Sequence, residues 1–206
     1  MIKSKKILVF VILFVSALLL MPTSLLAQDY DDISKDIMEE YESLLNDSQT
    51  ALEEGNFSEA KTKLDRASLL LWNNSPLKSE NATLVQRAPS FYGDIIPRED
   101  KTYHHGERLY FYFEPKNYLI EKQDKYLIDM VLETKLIHED ETIVFHDPEF
   151  LKFQRESVKP NQEVVFDLFF DLGSSIESGE YTMENIIYDQ LSGEQTKVET
   201  KFDFTE

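Results

Sequence analysis

The chain of 206 residues contains no cysteine. That excludes disulfides, thiolate nucleophiles and a lipid-modified N-terminal cysteine. Glycine is scarce, at six residues, which leaves little material for strained catalytic loops or phosphate cradles. No Gly-x-Ser-x-Gly elbow, phosphate loop or Asp-x-Asp-x-Asp-Gly calcium loop occurs. Basic residues are few: 21 Lys and Arg against 39 Asp and Glu give a net charge of −18. Such a surface repels nucleic acid and anionic lipid. It serves solubility, and it leaves a cation or a basic partner as acceptable company.

What is present begins at the N-terminus. Lys3, Lys5 and Lys6 precede an apolar run from Ile7 to Met21, interrupted only by Ser16. Its 15 residues fall short of the roughly 20 that a membrane span needs. Pro22 ends the run, Ala27 supplies a small residue with Leu25 two positions before it, and an acidic stretch opens at Asp29. This is the layout of an export signal over residues 1–27, with cleavage expected near Ala27. An uncleaved anchor is the alternative. The leader carries three lysines and no acid, so its removal takes the net charge from −18 to −21 and places the remaining 179 residues in a periplasmic or extracellular setting.

Residues 28–76 carry a helical period. Ile33, Ile37, Tyr41, Leu44, Ser48 and Ala51 recur at steps of three and four, and Met38, Leu45 and Leu52 widen the apolar face. Gly55 stops this helix, and Asn56 with Glu59 has the spacing of a capping box for a second one. Ala60, Leu64, Ala67 and Leu71 give that helix one face, and Pro76 lies beyond its end. The expectation is an antiparallel hairpin. Gly55-Asn56-Phe57-Ser58-Glu59-Ala60 with Leu64 and Ala67 resembles the second half of a tetratricopeptide repeat. The first half departs from that pattern at Leu44 and Ser48, and there is no second copy. The resemblance therefore implies an isolated repeat-like hairpin rather than a peptide-binding superhelix.

Residues 77–90 are polar and uneven and read as a linker. They hold Asn81-Ala82-Thr83, a glycosylation sequon; Asn46-Asp47-Ser48 and Asn56-Phe57-Ser58 are two more. From 91 to 206 the period becomes two. Leu109, Phe111 and Phe113 alternate with Arg108, Tyr110, Tyr112 and Glu114; Ile128, Met130 and Leu132 with Asp129, Val131 and Glu133; Val164, Phe166, Leu168 and Phe170 with Val165, Asp167, Phe169 and Asp171; and Val198, Thr200, Phe202 and Phe204 with Lys197, Glu199, Lys201 and Asp203. Segments at Phe91–Ile95, Thr142–Phe145 and Tyr181–Tyr188 bring the count to about seven strands. Turn signals at His105-Gly106, Glu139-Asp140-Glu141, Pro160-Asn161, Ser178-Gly179 and Ser192-Gly193 divide them. The fold class is therefore α+β: an N-terminal helical hairpin followed by an antiparallel β-sandwich.

Gly179-Glu180-Tyr181, an alternating strand, Asp189 and Ser192-Gly193 resemble the end of secreted immunoglobulin-like modules. The resemblance implies a corner tyrosine whose hydroxyl satisfies a nearby backbone group. Ile96-Pro97-Arg98 through Leu109–Glu114 to Asn117-Tyr118 is similar to the β-sandwich module of exported bacterial GWxTD-motif proteins. The GWxTD motif itself is absent, so no functional residue carries over. Asn185 shares a side with Tyr181, Met183 and Ile187, which requires either a buried amide with partners or a bulge.

Candidate sites are sparse. His138-Glu139-Asp140-Glu141 with His146-Asp147 gathers imidazoles and carboxylates, but at a turn tip rather than on the rigid, converging positions a metal needs. His104-His105 reads as a surface turn. Asp29, Asp31, Asp32 and Asp36 complement a helix N-terminus. No catalytic residue, cofactor or metal site is expected. The surplus lies in apolar side chains on outward positions: Tyr110, Tyr112, Tyr118, Val165, Phe169 and Tyr188 form the candidate binding surface. Tyr110 and Tyr112 share one side of a strand, Val165 and Phe169 one side of another, and the two strands are neighbours in immunoglobulin-like topology. Such a face usually gets covered, and the helical hairpin is the expected cover. The functional expectation is an exported, non-enzymatic module that binds an envelope protein through its sandwich. A carbohydrate platform of surface tyrosines is the alternative, and a hydrolase using paired carboxylates or a His/Asp metal site comes third.

Overall fold

The structure, a computed structural model, describes residues 23–173 and 176–205, with side chains from residue 34 onward. It divides into two compact units, Met1–Leu70 and Leu71–Glu206. Residues 1–22 of the expected leader lie outside the described residues. Among those described, no helix is long and apolar enough to cross a membrane.

The first unit is a pair of helices, α1 (Thr23–Glu53) and α2 (Phe57–Asn73). α1 already includes Thr23, ahead of the expected start at residue 28, so residues of the expected leader's end belong to it. Gly55 turns the chain with φ 77°. Asn56 then caps α2 through its side-chain oxygen, which accepts from Glu59 N at 3.2 Å, while its amide reaches the Glu59 carboxylate at 2.8 Å. Leu44, Ser48 and Ala51 are buried on α1, and Ala60 and Ala67 on α2. These small side chains bring the backbones close enough for Ser48 Oγ to donate to the Ala60 carbonyl at 3.2 Å. Lys63 pairs with Asp47 across the hairpin at 2.7 Å. Leu64 and Leu71 share the alanine side by spacing yet stand 46% and 44% exposed, because the contact centres on the alanines.

The second unit opens with the end of α2. Trp72 donates to the Tyr118 carbonyl at 2.8 Å, and the Asn73 side chain both donates to and accepts from the Ile120 backbone at 3.1 Å. Nine strands follow among the described residues: β1 (Lys78–Val85), β2 (Thr102–His104), β3 (Arg108–Lys116), β4 (Glu121–Lys122), β5 (Tyr126–His138), β6 (Ile143–Ser157), β7 (Phe166–Asp171), β8 (Gly179–Asp189) and β9 (Gln195–Thr205). One sheet has the order β1-β3-β7. The other runs β2-β9-β8-β5-β4, with β6 also paired to β5. Pairing is antiparallel except for β2 with β9.

Alternation decides what lies between the sheets. Leu109, Phe111 and Phe113 of β3 and Phe166 and Leu168 of β7 are buried; so are Ile128, Met130 and Leu132 of β5, Tyr181, Met183 and Ile187 of β8, and Phe202 and Phe204 of β9. The corner tyrosine forms: Tyr181 donates to the Glu177 carbonyl at 2.8 Å, and its ring stacks on Phe202 at 5.7 Å. Asn185 is the buried amide of the two alternatives, accepting from Thr134 Oγ1 at 2.8 Å.

Three expectations are corrected. Residues 77–90 are not a plain linker, because Lys78–Val85 is β1, paired to β3. A register shift between Glu80 and Thr83, with Asn81 at φ 54°, breaks the alternation that would have revealed it. Phe91–Ile95 is not a strand. The Asp94 carboxylate bonds Arg87 at 2.9 and 3.1 Å and Ser90 N at 2.9 Å, closing the chain into a turn. Thr142–Phe145 covers only the start of the 15-residue β6 (Ile143–Ser157), whose register shifts, one at Val144 and one around Pro148, hide its period.

Candidate functional site

Period two sends Arg108, Tyr110, Tyr112, Glu114 and Lys116 of β3 to the outer side of the three-stranded sheet. Tyr110 sits directly opposite Phe169 of β7, and Tyr112 opposite Asp167. At the Arg108 end this face is open. Phe169 is 54% exposed. The Arg108 guanidinium lies over its ring at 4.6 Å and makes a forked pair with Asp171 at 2.6 and 3.0 Å. A fork held by a carboxylate on the next strand fixes the guanidinium plane as well as its charge.

The other end of the same face is closed. Tyr112 is fully buried, its hydroxyl donating to Glu114 at 2.7 Å and accepting from Gly93 N at 3.1 Å. Tyr92 donates to the second Glu114 oxygen at 2.7 Å, and Lys116 pairs with that carboxylate at 2.6 Å while also touching the Tyr92 hydroxyl. Burial alone pushes the Glu114 carboxyl upward. Hydrogen bonds from Lys116, Tyr112, Tyr92 and Asn81 outweigh it and hold the group down at about 2. Burial, and then the bond to Glu114, pushes the Tyr112 phenol up to about 12.

The expected surface is thus only partly assembled. Tyr110 and Phe169 come together. Val165 is half-buried and precedes β7. Tyr112 is corrected to an interior residue, covered by the turn that carries Tyr92 and Gly93. Tyr118 is corrected likewise: it is buried, its ring meets Trp72 edge-on at 5.2 Å, and its hydroxyl donates to the Asn161 carbonyl at 2.7 Å. Tyr188 belongs to the other sheet and donates to Glu133 at 2.7 Å.

The remaining titratable groups work mostly in pairs. Glu133 takes Tyr188, then Lys135 at 2.9 Å and His146 at 2.9 Å, and these donors hold it down at about 2. Glu184 takes Lys135 at 2.9 Å and Lys197 at 3.2 Å, extending a ladder of charges across neighbouring strands. His138 pairs with Asp140 at 2.9 Å, which raises the imidazole and, together with Thr142 N, holds Asp140 down at about 2. His138 and His146 therefore serve different carboxylates. Among the described residues, no three His, Cys, Asp or Glu side chains converge as a metal would require. The His104-His105 pair leads into a turn at Gly106, with φ 84°.

One feature has no counterpart in the sequence pattern. A cleft of about 550 Å³ opens where the ends of β5 and β7 and the start of β8 leave the sandwich. Its lining comes from β5, β6, β7 and β8, from Asp140 and Thr142 in the β5–β6 turn, and from Leu172, Ile176 and Glu177 between β7 and β8. No local period signals such a set, although the exposed Val144 hints that its strand borders something other than core.

No known protein family matches the chain, and no curated protein sequence matches it. Among solved structures, it is similar to a family 123 glycoside hydrolase from Clostridium perfringens, at 8% identity and TM-score 0.37 over 64% of this chain. This chain spans only 28% of that hydrolase. It is similar to a Niemann-Pick type C2 protein from Japanese carpenter ant, at 12% identity and TM-score 0.39, covering 64% of this chain and 94% of the other. The C-terminal domain of wzt gives 11% identity and TM-score 0.37, with 66% and 77% covered. At these values the likenesses name no family and assign no activity.

Proposed function

We propose that the chain is an exported, non-enzymatic binding module of a cell envelope, and that it holds a protein partner through the outer face of its three-stranded sheet. The observation that carries this is Phe169, exposed beside Tyr110 and gripped by an Arg108 that Asp171 holds in place. Aromatic side chains and arginine are enriched where proteins meet, and a ring already ordered by its neighbours loses little freedom on binding. The basic and apolar leader supports export. The perturbed carboxylates support a non-enzymatic reading. Glu114, Glu133 and Asp140 are all held low by donors, whereas a general base works best with a pKa near the operating pH. The sugar-platform alternative keeps Tyr110 on this face but not Tyr112 and Tyr118, which are buried, and Tyr188 lies on the other sheet, so the protein-partner reading has the greater support.

The test is a photo-crosslinking phenylalanine analogue placed at position 169, and separately at 188, in the full chain in its native host. The expected result is one envelope protein captured from 169, lost on Arg108→Glu and absent from 188. Capture from 188 with none from 169 would overturn the assignment of the face.

A further inference from the structure

The cleft at the end of the sandwich meets the Phe169 face only at Asp171, which lines the one and holds Arg108 on the other. Protein interiors close to crystal-like density, and voids much larger than a water molecule are few. A space of about 550 Å³ lies within the size range of ligand pockets. It equals the share of liquid volume of about 18 waters at roughly 30 Å³ each. That suits one alkyl chain or a small ring system, not a two-chain lipid.

The walls are built for an apolar body. Leu136, Phe145, Phe170, Leu172 and Ile176 line the space. Phe145 meets Phe170 edge-on at 5.7 Å, and Phe150 stacks on the same ring at 5.3 Å, so this wall is a packed aromatic cluster with fixed positions. Val144, also in the lining, is 48% exposed, an apolar side chain facing solvent at the opening.

The ionisable groups of the lining are unbalanced. Asp140, Asp171 and Glu177 are acidic, and His138 is the one basic group among them. His138 is already paired with Asp140 at 2.9 Å. Its ring is also pinned from behind: a Cβ on Gly179 would come within 2.4 Å of His138 Nε2, so the ring occupies the space that the missing side chain leaves. Arg108 is likewise engaged with Asp171. Asp140 and Asp171 each carry their own cation, so among the lining acids Glu177 alone has no ion pair with a described residue, and it is the charge that disfavours an anionic head and accepts from a neutral or cationic one.

We infer that this cleft binds a single-chain amphiphile with an apolar body and a neutral or cationic head. The aromatic wall takes the chain, and Glu177 takes the head at the rim.

The test uses the exported chain without its leader and three probes below their micelle concentrations: decyltrimethylammonium, octyl glucoside and decyl sulfate. Binding is followed by titration calorimetry and by backbone amide shifts. The expected result is saturable one-site binding of the first two, at least ten-fold weaker binding of the sulfate, and shifts centred on Leu136, Phe145, Phe170 and Ile176. Val144→Trp fills the opening and removes binding. Glu177→Lys changes only an exposed side chain, since Tyr181 bonds the Glu177 backbone carbonyl, and it narrows the preference against the sulfate. Equal affinity for all three heads, or shifts centred elsewhere on the sandwich, would overturn the inference. Failure of the Phe169 crosslink would leave it standing, because the two sites share no assay.

Discussion

Glu114 offers the sharpest test of how this fold is held together. It is a buried carboxylate at the centre of Tyr92, Tyr112 and Lys116, on the face where the Tyr92–Gly93 turn is tied to β3. Its ordinary value is 4.5, and in the folded chain it titrates at about 2. Each pH unit between the two is worth 1.36 kcal/mol, so ionised Glu114 contributes about 3 kcal/mol at neutral pH. The folded value is the depressed one. The contribution is therefore complete above pH 4.5 and is lost as pH falls from there through 2. Glu133 and Asp140 are depressed too, so the acid limb of the wild-type chain alone does not isolate Glu114. The comparison with Glu114→Gln does. Urea midpoints of both chains, taken stepwise from pH 7 to pH 2, should show the variant well below the wild type at neutral pH. The gap should close by about 3 kcal/mol as the pH drops. A gap that stays constant with pH would refute the reasoning, because it would mean that Glu114 contributes by shape rather than by charge.

Two further predictions follow from the core. Thr134 and Asn185 are fully buried and bonded to each other, and Asn185 Nδ2 has no partner among the described residues. Thr134→Val should cost about 1–3 kcal/mol by leaving the amide oxygen unpaired as well. Adding Asn185→Leu should recover most of that, since two apolar partners leave nothing unsatisfied. Strictly additive losses in a double-mutant cycle would contradict this. Gly179→Ala should cost about 1–3 kcal/mol, because the new methyl meets the His138 ring at 2.4 Å. His138→Ala in the same chain should relieve the clash, and an identical glycine penalty in both backgrounds, read from urea midpoints, would reject the packing argument.

Much of the architecture could be read locally. The capping pair Asn56–Glu59 and the turn at Gly55 lie within five residues of each other, and their geometry follows from backbone rules alone. The corner tyrosine is legible for the same reason, since Tyr181 bonds a carbonyl four residues back. Strands with strict alternation, such as Leu109–Phe113, announce both their existence and their inner face. Strands whose alternation is broken do not. β1 is interrupted by the shift at Asn81, and β6 by the shift around Pro148, so each looks like a connector or a fragment. The binding face was legible only by half. Alternation places Tyr110 and Tyr112 on the same outer side, but it carries no information about a turn 20 residues earlier that returns to cover one of them.

The sequence by itself determined the two helices and the strands of unbroken alternation with their inner faces, because period, capping and turn chemistry act between residues a few positions apart. Only the tertiary structure decided that Tyr112 is sealed while Phe169 is open, and that an apolar cleft bordered by carboxylates lies between the sheet ends. Both outcomes depend on side chains brought together from distant strands, and burial at such places is a property of the packed assembly rather than of any one segment.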